Sequence, residues 1–477
     1  MLVWQNLDEQ LQMVRVDGDG RVIHDEVLAV ETSKPRDPQL EVGADGRLHL
    51  LWREGEPPDA ALYYALLSED GVPLIPPRAI SETSIEEYPR LVAGADGRYH
   101  AVWADGRGIQ WATLSEDGAL LSGPTLAVAG AGIPAVQVDE QGNLHLAWRQ
   151  ALRIRAWEIK YAVLNPVDGS VRGLVEVKQL IQRPGQGLDD PIIGLDGEKV
   201  YVLWTTYDFK YGGSWSEYAV FPLDAPEQVA LEALNLRAGA NPMDVYAVSN
   251  AGGPLRLAMS RSVPDVEIAG VSRSQVAVLD VGSGYAEEIV TASLSASLLP
   301  VLALDEAGQH HLAWLETAEF GRYQVVYAST APDVVKHYNA WTLADIVDTV
   351  FSYLFKASTL IIALVAALLV WAVVPLLVLV LYHVFTSEET LYSWRSYVAL
   401  FVVLALEVLL TFAAPPRLIV EASSPLVRWG TPAAGALAAA LATWRWMKDR
   451  ERPHLFGVYF LFTGVSSILQ VLIYFLM

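Results

Sequence analysis

Four histidines recur at one position of a repeated phrase and are the first candidates for chemistry in this chain. His49, His100, His145 and His311 each stand three residues before a tryptophan. Imidazole is the commonest protein ligand for metal ions, so four rings that converge on one point could bind an ion. A residue that each repeat requires is more often a packing element, and we expect these rings to bond the backbone of neighbouring repeats. The sequence therefore predicts structural histidines, with no metal and no cofactor.

Glu407 is a second candidate because it lies inside a strongly apolar segment. Its neighbours from Leu404 to Leu409 are otherwise aliphatic. A carboxyl group in hydrocarbon is costly and normally faces a partner or a cavity, which would suit a proton or cation step or a contact with another subunit. One carboxyl makes no pathway, however. We therefore favour a protonated Glu407 that is hydrogen-bonded to a neighbouring helix through Thr443 or Ser467.

Complete motifs for catalysis or ion binding are absent from the sequence. Asp17–Gly20 has the look of a calcium loop, but the later ligands and the terminal glutamate of such a loop are missing. We interpret this segment as a plain hairpin turn. The sequence also has no phosphate loop, zinc-ligand spacing or nucleophile elbow.

The phrase that contains the histidines indicates the elements that must position them. It runs from Asp45 to Trp52 in one copy and from Asp96 to Trp103 in the next, and a degraded copy occupies Leu255–Met259. Steps of about fifty residues between strand-like units are typical of a β-propeller. The tryptophans look like core between blades, and their positions are Trp4, Trp52, Trp103, Trp148, Trp204 and Trp314.

Each repeat reads internally as four short strands. In the second repeat, alternating residues from Pro38 to Val42 precede a turn at Asp45-Gly46, and Leu48–Trp52 and Leu62–Leu67 follow before a last strand near Arg78. Short polar turns leave no room for crossover helices, so the architecture is antiparallel and all-β. We predict seven blades within residues 1–332. Six blades is the alternative, because residues 223–297 have lost the phrase.

The composition of the chain limits the kinds of partner that it can bind. The chain has 477 residues, with 33 basic and 55 acidic side chains, and a formal net charge of -22. So acidic a chain has no electrostatic footprint for nucleic acid. The absence of cysteine excludes disulfides and thiol chemistry, and it does not decide the compartment.

The last third of the chain has the composition of a membrane domain. We predict an all-α transmembrane bundle of four helices in residues 357–477, which makes the chain a multi-pass integral membrane protein. Pro375 predicts a kink in the first span, and the small residues around Gly435 predict close packing of the third. The four spans are 357–385, 397–414, 426–446 and 455–476.

The segment before the first span has helical periodicity. Apolar residues between Trp341 and Phe355 alternate with Asp345, Asp348 and Ser352, which predicts an amphipathic juxtamembrane linker helix over 333–356. The alternative is a simple helical extension of the first span. Basic residues around Lys448 favour a cytoplasmic loop there, which places the propeller outside, at the bacterial cell envelope.

The first repeat starts late. Leu2–Trp4 reads as the second strand of a blade, and Met1 begins no signal peptide, although an exported domain normally needs one. The last repeat, Pro300–Thr330, already has its own first, second and third strands. We therefore expect that the native polypeptide continues upstream with a first strand and an export signal.

The blades resemble the sialidase-like, or BNR-like, group of β-propellers. The residues that carry the resemblance are the Asp-Gly turns and the histidines three places before the tryptophans. Sialidases have Asp-boxes of the form Ser-x-Asp-x-Gly-x-Thr-Trp, but Ser68–Gly71 and Ser115–Gly118 place glycine one position too early. The resemblance implies an arginine triad, a tyrosine with a glutamate, and an acid/base aspartate. No motif selects three arginines from Arg53, Arg149, Arg155, Arg183, Arg237, Arg256 and Arg322.

Two classes of function remain. A membrane-anchored propeller that serves as a non-catalytic binding or scaffolding subunit is favoured, because the Asp-boxes and a selectable triad are missing. Such a subunit would take a glycan or a protein on the propeller, and a second membrane protein beside its helices. The alternative is a membrane-bound glycoside hydrolase of the sialidase type. A platform for stacking sugars is a further option, and its candidates are Trp103, Trp111, Trp157 and Trp215.

Overall fold

The computed structural model contains two compact units, which are described separately. The structure describes residues 1–94, 96–234, 236, 240–248, 254–264, 272–281, 287–291, 293, 295–305, 307–319, 321–338, 343–413 and 425–476.

In these residues, 27 strands form seven antiparallel sheets, each built from consecutive strands of the chain. Blade one contains β1 (Leu2–Gln5), β2 (Leu11–Val16) and β3 (Val22–Val27). Blade two contains β4 (Pro35–Val42), β5 (Leu48–Glu54), β6 (Ala61–Leu67) and β7 (Pro73–Ala79). Blade three contains β8 (Arg90–Ala93), β9 (Tyr99–Asp105), β10 (Gly108–Leu114) and β11 (Leu120–Ala129). Blade four contains β12 (Pro134–Val138), β13 (Leu144–Arg153), β14 (Ala156–Leu164) and β15 (Val171–Ile181).

The later blades follow the same order. Blade five contains β16 (Gln186–Leu188), β17 (Ile192–Leu195), β18 (Lys199–Asp208), β19 (Gly213–Pro222) and β20 (Ala230–Ala233), and both β16 and β17 pair with β18. Blade six contains β21 (Met243–Val248), β22 (Leu255–Pro264), β23 (Ser272–Val281) and β24 (Glu287–Ile289). Blade seven contains β25 (Ser297–Leu304), β26 (His310–Glu319) and β27 (Arg322–Ser329). The prediction of seven blades is confirmed, and the degraded phrase at Leu255 is a blade of its own.

The repeated phrase forms the hairpin between the first and second strands of a blade. In blade two, Gly46 takes a φ of 81°, and its amide donates to the Gly43 carbonyl at 2.9 Å. The Asp45 carboxylate accepts the Arg47 amide at 3.0 Å. Aspartate and glycine therefore close a tight turn that delivers Leu48–Trp52 into the sheet.

The tryptophans at the phrase ends fill the space between blades. Trp52 packs with Leu11 and Met13 of blade one, and Trp103 packs with Leu62 and Tyr64 of blade two. Each of these tryptophans therefore covers the preceding blade, as core between neighbouring blades requires.

The first strands of successive blades are neighbours and surround the central channel. β4, β8, β12, β17, β21 and β25 contact one another in that order. In blade one, β1 carries Trp4 and pairs with β2. The ring therefore places first-strand residues about fifty positions apart in sequence beside each other.

Helices follow the last strand. α1 (Pro332–Tyr338) ends the propeller unit, and α2 (Leu343–Thr386), α3 (Trp394–Ala413), α4 (Pro425–Lys448) and α5 (Leu455–Leu476) form the second unit. The segment 333–356 includes α1, residues 339–342, which lie outside the described residues, and the start of α2, so the predicted linker helix stays a prediction. α2 contains Pro375 within its range, and the alternative of a simple helical extension of the first span also stays a prediction.

One helical stretch among the described residues, Trp394–Phe412, is long and apolar enough to cross a membrane, with 19 residues and a mean hydropathy of 1.9. Trp371–Thr386 and Leu455–Gln470 are shorter apolar stretches. The helical region is therefore confirmed, and the bundle of four spans stays a prediction.

The helices of the second unit pack closely. Leu379 of α2, Val403 of α3 and Tyr459 of α5 are buried together. A Cβ atom on Gly435 of α4 would lie only 2.7 Å from the Gln470 side chain of α5. The small residue at this position lets the two helices approach.

Candidate functional site

The repeated histidines bond hydroxyl groups on the third strand of their own blade, where backbone atoms of a neighbouring blade were expected. The four Nδ1 contacts are His49 to Tyr64 at 2.8 Å, His100 to Thr113 at 3.2 Å, His145 to Tyr161 at 2.6 Å and His311 to Tyr327 at 2.6 Å. Among the residues that the structure describes, no group of three histidines, aspartates or glutamates is arranged to hold a metal ion. The contacts tie the second strand to the third.

Three of the blades extend this link to the turn, and in blade seven the Nε2 atom of His311 lies 3.2 Å from the Asp305 carboxylate. The Nε2 atom of His145 lies 3.1 Å from the Asp139 carboxylate. In blade five a tyrosine replaces the histidine, and the Tyr201 hydroxyl donates to Asp196 at 2.7 Å. The repeated polar residue therefore joins the turn to the sheet, and this is a structural role.

Because the buried histidines are neutral, we predict that the stability of the propeller depends on pH. Burial lowers the pKa of His49 and of His100 to about 4. Because an unfolded histidine titrates near 6.5, the unfolded chain binds more protons as the pH falls from 6.5 to 4. We expect the free energy of unfolding to fall across this window, by about 3 kcal/mol for each histidine.

Thermal unfolding of the H49Q/H100Q variant at a series of pH values checks this prediction. Burial raises the pKa of Glu41 to about 7, so Glu41 loses stabilisation in the opposite direction, as the pH rises from 4.5 through 7. The Glu41 contribution cancels when the variant is compared with the natural chain. If the unfolding temperatures of the variant and the natural chain changed equally with pH between pH 6.5 and 4, the prediction would be contradicted.

The strand register defines one equivalent channel position in six blades. In each of these blades, the residue just before the recurring tryptophan pairs with a residue of the first strand, and that first-strand residue occupies the position. In blade six, Met259 stands in place of the tryptophan. Its occupants are Gln39, Arg90, Ala135, Ile192, Tyr246 and Val301. This position varies between blades, whereas the tryptophan recurs. A specific binding site is therefore expected among the residues that vary between blades at this position.

Arg90 is the one basic residue among these six. Burial lowers the pKa of Arg90. Four nearby groups act in the opposite direction and raise it, namely Tyr246, Asp37, Asp190 and Tyr88. These residues come from blades two, five and six and from the start of blade three, so they meet at the central channel. The Arg90 backbone pairs with Val102 in the sheet, but in the described part of the chain its guanidinium has no hydrogen bond and no carboxylate within 4.0 Å. Arg90 is therefore a guanidinium without an ion-pair partner at the channel.

Tyr246 lies near Arg90 on the wall of the channel. Its side chain remains 40% exposed, and yet burial raises its pKa. Both observations hold because the channel is concave, so it admits water while protein surrounds the phenol. A ligand in the channel can therefore reach Arg90 and Tyr246 together.

Two neighbouring arginines are already engaged. The Arg53 side chain is 4% exposed, and its Nε atom donates to Asp37 at 3.0 Å. Arg149 donates to Asp190 at 3.0 Å, and its guanidinium lies 4.6 Å from the centre of the Trp157 ring. These two guanidinium groups hold protein carboxylates in place and are not free for a ligand.

Irregularities in the first strands place the carboxylates at one end of the channel, which we call the mouth. Asp37 and Asp244 take φ values of 51° and 48° at interruptions of the register in β4 and β21. Asp189 and Asp190 occupy the break between β16 and β17. A bulge redirects a side chain out of the sheet, so these residues leave the ladder.

Burial affects the titration of two of the carboxyl groups at the mouth. Burial raises the pKa of Asp189, which also accepts the Tyr207 hydroxyl at 2.6 Å. Burial also raises the pKa of Asp190, against the opposing effect of Arg149. Among the described residues, the mouth therefore offers the guanidinium of Arg90 without an ion-pair partner, several carboxyl oxygens and the phenols of Tyr88 and Tyr246.

The arginine candidates from the sequence are scattered. Arg53 and Arg149 lie at the mouth, whereas Arg256 forms an ion pair with Asp280 in blade six, with 2.9 Å between its Nε atom and the carboxylate. Arg155 and Arg183 are exposed on loops, Arg322 begins β27, and Arg237 lies outside the described residues. The sequence did not single out Arg90. The available signal was the position of Arg90 in a first strand, directly after Tyr88-Pro89. The first strands of the other blades carry different residues at the equivalent position.

The other sequence candidates have ordinary surroundings. Trp103 and Trp111 are buried, Trp157 is half-buried, and Trp215 is 41% exposed. In the Asp17–Gly20 segment, the Asp17 carboxylate accepts the amides of Asp19 and Arg21 in the turn between β2 and β3. This geometry is that of a hairpin turn.

Glu407 is buried within the second unit. Its Oε2 atom accepts the Thr463 hydroxyl at 2.6 Å, so its partner is on α5 but is neither Ser467 nor Thr443. The Thr443 hydroxyl donates to the Ala439 carbonyl of its own helix at 2.6 Å. The Oε1 atom of Glu407 has no hydrogen-bond partner among the described residues.

Glu407→Gln is expected to leave the stability of the helical unit nearly unchanged. The amide keeps an oxygen that accepts the Thr463 hydroxyl, and a neutral group is less costly in an apolar bundle. Thr463→Val removes the donor and is expected to cost about 1 kcal/mol. Thermal unfolding in detergent measures both, with Thr443→Val as the matched control. Loss of folding or assembly in Glu407→Gln would show that the carboxyl group itself is required.

Comparisons with known proteins give structural neighbours only. No protein-family model and no curated protein matches the chain. A protein of unknown function from Dyadobacter fermentans has a TM-score of 0.44 at 9% identity, over 63% of this chain and 96% of that one. A PL25 ulvan lyase bound to a GlcA(1-4)Rha3S saccharide has a TM-score of 0.41 at 8% identity, over 63% and 85%.

A thermostable family-43 glycoside hydrolase has a TM-score of 0.34 at 12% identity, over 54% of this chain and 93% of that one. Glycoside hydrolases and polysaccharide lyases are therefore among the structural neighbours of the propeller. Likeness at this level says nothing about activity, and the sialidase-like assignment stays a prediction.

Proposed function

We propose that this chain is a membrane-anchored binding protein whose propeller takes an acidic saccharide at the mouth of the channel. The observation that carries the proposal is Arg90, a channel guanidinium without an ion-pair partner among the described residues, beside carboxylates that already have theirs. A guanidinium binds a ligand carboxylate through two parallel hydrogen bonds. Asp189 and Asp244 supply acceptors for sugar hydroxyl groups, and Tyr246 supplies an aromatic face.

Binding without turnover fits the arginines better than sialidase chemistry does. A sialidase-type site holds one substrate carboxylate with three guanidinium groups. Here the Arg53 and Arg149 groups are directed at Asp37 and Asp190. Recruiting them for a substrate would leave two carboxylates unpaired at the mouth, which is costly.

Glycoside hydrolysis is the second candidate, because burial raises the pKa of Asp189 and of Asp190. Carboxyl groups with raised pKa values are suited to act as general acids. A fluorogenic sialoside and a panel of other fluorogenic glycosides separate the candidates. Release of the fluorophore above the buffer rate would overturn binding without turnover.

Arg90→Ala is expected to weaken the binding of an acidic sugar by about 10- to 100-fold, because a hydrogen bond to a charged group contributes about 1.5–3 kcal/mol. Ligand-detected NMR with N-acetylneuraminic acid, glucuronic acid and galactose measures this. Galactose should bind weakly to both proteins. Arg98→Ala, at an exposed turn between β8 and β9, is the control that should leave binding unchanged. Equal binding by Arg90→Ala and the natural chain would contradict the proposal.

The helices extend the proposal to a membrane complex. Four spans exceed what an anchor needs, which supports a second membrane subunit beside them and a propeller outside the cytoplasm. The mass of the protein purified in mild detergent from native membranes tests this. A lone monomer would count against the partner subunit.

A further inference from the structure

Three loops of blades four and five form a continuous surface, which we call the rim. They are residues 150–157, 181–186 and 207–215. The Gln182 amide donates to the Arg155 carbonyl at 2.9 Å, and the Phe209 amide donates to the Gly185 carbonyl at 2.8 Å. The backbone therefore joins the three loops at the end of the ring that also carries the mouth.

Large apolar side chains project from the rim. The exposed fractions are 93% for Ile154, 76% for Ile181, 75% for Phe209 and 77% for Tyr211. Ile154 and Arg155 are the two-residue tip between β13 and β14, where Arg155 takes a φ of 62°. A tip residue with a positive φ is normally Gly, Asn or Asp, so an arginine at position 155 is unfavourable for the turn itself. Several large apolar side chains that are exposed on joined loops mark a surface that binds something.

The charge of the rim opposes that of the chain. The three loops contain four basic residues and one acidic residue, in a chain whose net charge is -22. The one acidic residue, Asp208, accepts the amides of Lys210 and Tyr211 within its own turn. The four basic side chains are exposed, and they are Arg153, Arg155, Arg183 and Lys210.

We propose that the rim binds the surface of a lipid bilayer that contains anionic headgroups. Aliphatic and aromatic tips enter the interfacial region of a bilayer, and neighbouring arginine and lysine side chains bind acidic headgroups. The inference rests on the membrane anchorage in the proposed function, because the anchor keeps the propeller close to lipid.

The absence of cysteine in the chain allows a clean probe. The full-length variant Ile154→Cys is labelled with an environment-sensitive fluorophore and reconstituted into phosphatidylcholine vesicles with and without phosphatidylglycerol. The control is Val167→Cys, which is 80% exposed in the turn after β14, at the other end of blade four. Spin-labelled lipids then quench whichever probe lies in the bilayer.

Quenching at position 154 is expected to exceed that at position 167 by about threefold or more, and to require phosphatidylglycerol for its full extent. Adding Arg153→Gln, Arg183→Gln and Lys210→Gln should remove the phosphatidylglycerol effect. A protein that floats with vesicles while its probe at position 154 stays unquenched would overturn this inference alone. A protein that does not float would overturn the anchorage. Shielding of the probe by added protein, without lipid quenching, would also overturn the inference.

Discussion

Asp105→Ala is expected to lower the free energy of unfolding of the propeller by about 3–5 kcal/mol. The Asp105 side chain is fully buried at the end of β9. It accepts the Thr83 hydroxyl at 2.7 Å, the Arg107 amide at 2.8 Å and the Gln110 side chain at 3.3 Å. Removing the carboxylate leaves these donors unpaired in the hairpin of blade three, and a buried donor without an acceptor is costly.

The carboxylate charge of Asp105 also matters. Burial alone would raise its pKa, but hydrogen bonds from Thr83 and Arg107 outweigh burial and lower the pKa. Asp105→Asn keeps one acceptor oxygen and is expected to recover about half of the loss. Chemical unfolding in detergent, followed by tryptophan fluorescence, compares both variants. A loss of less than about 1 kcal/mol in Asp105→Ala would contradict the role of Asp105.

Arg53→Met is expected to cost about 3 kcal/mol or more, because it leaves Asp37 without its partner near the mouth. Methionine keeps much of the apolar stem while removing the guanidinium. The matched control is Arg98→Met, which breaks the exposed pair with Asp96 and should change stability by less than about 1 kcal/mol.

Arg53→Met should also weaken the binding of N-acetylneuraminic acid, because Asp37 is no longer held at its strand interruption. Unfolding and binding are measured on the same preparations. Equal effects of Arg53→Met and Arg98→Met on stability would show that the buried pair has no special importance.

Much of the fold follows from local pattern. The phrase that ends at Trp52, Trp103 and Trp148 predicts hairpins, and its period of about fifty residues predicts blades. Blade six is the least evident repeat in the sequence because Met259 replaces the tryptophan. Its sheet forms nevertheless, since Leu255 and Leu257 still supply the buried face.

The site depends on ring closure, which local pattern does not encode. Arg90 and Tyr246 are far apart in sequence and meet only because six first strands surround one channel. Asp37 and Asp244 reach the mouth through strand interruptions that no simple alternation predicts. The position of Glu407 was evident from hydropathy, but its partner Thr463 was not, because the rotation of one helix against another is set by packing.

The rim and the mouth lie at the same end of the propeller. If the rim binds a bilayer as inferred, an acidic saccharide close to the lipid surface lies within reach of Arg90. The repeated histidines and tryptophans then build the ring, and the residues that differ between blades provide its specificity.

The most direct test of the central claim is an experimental structure of the full chain in lipid nanodiscs with saturating N-acetylneuraminic acid. The account predicts the sugar at the mouth, with its carboxylate about 3 Å from the Arg90 guanidinium. An empty mouth, or a sugar bound elsewhere on the propeller, would contradict the account.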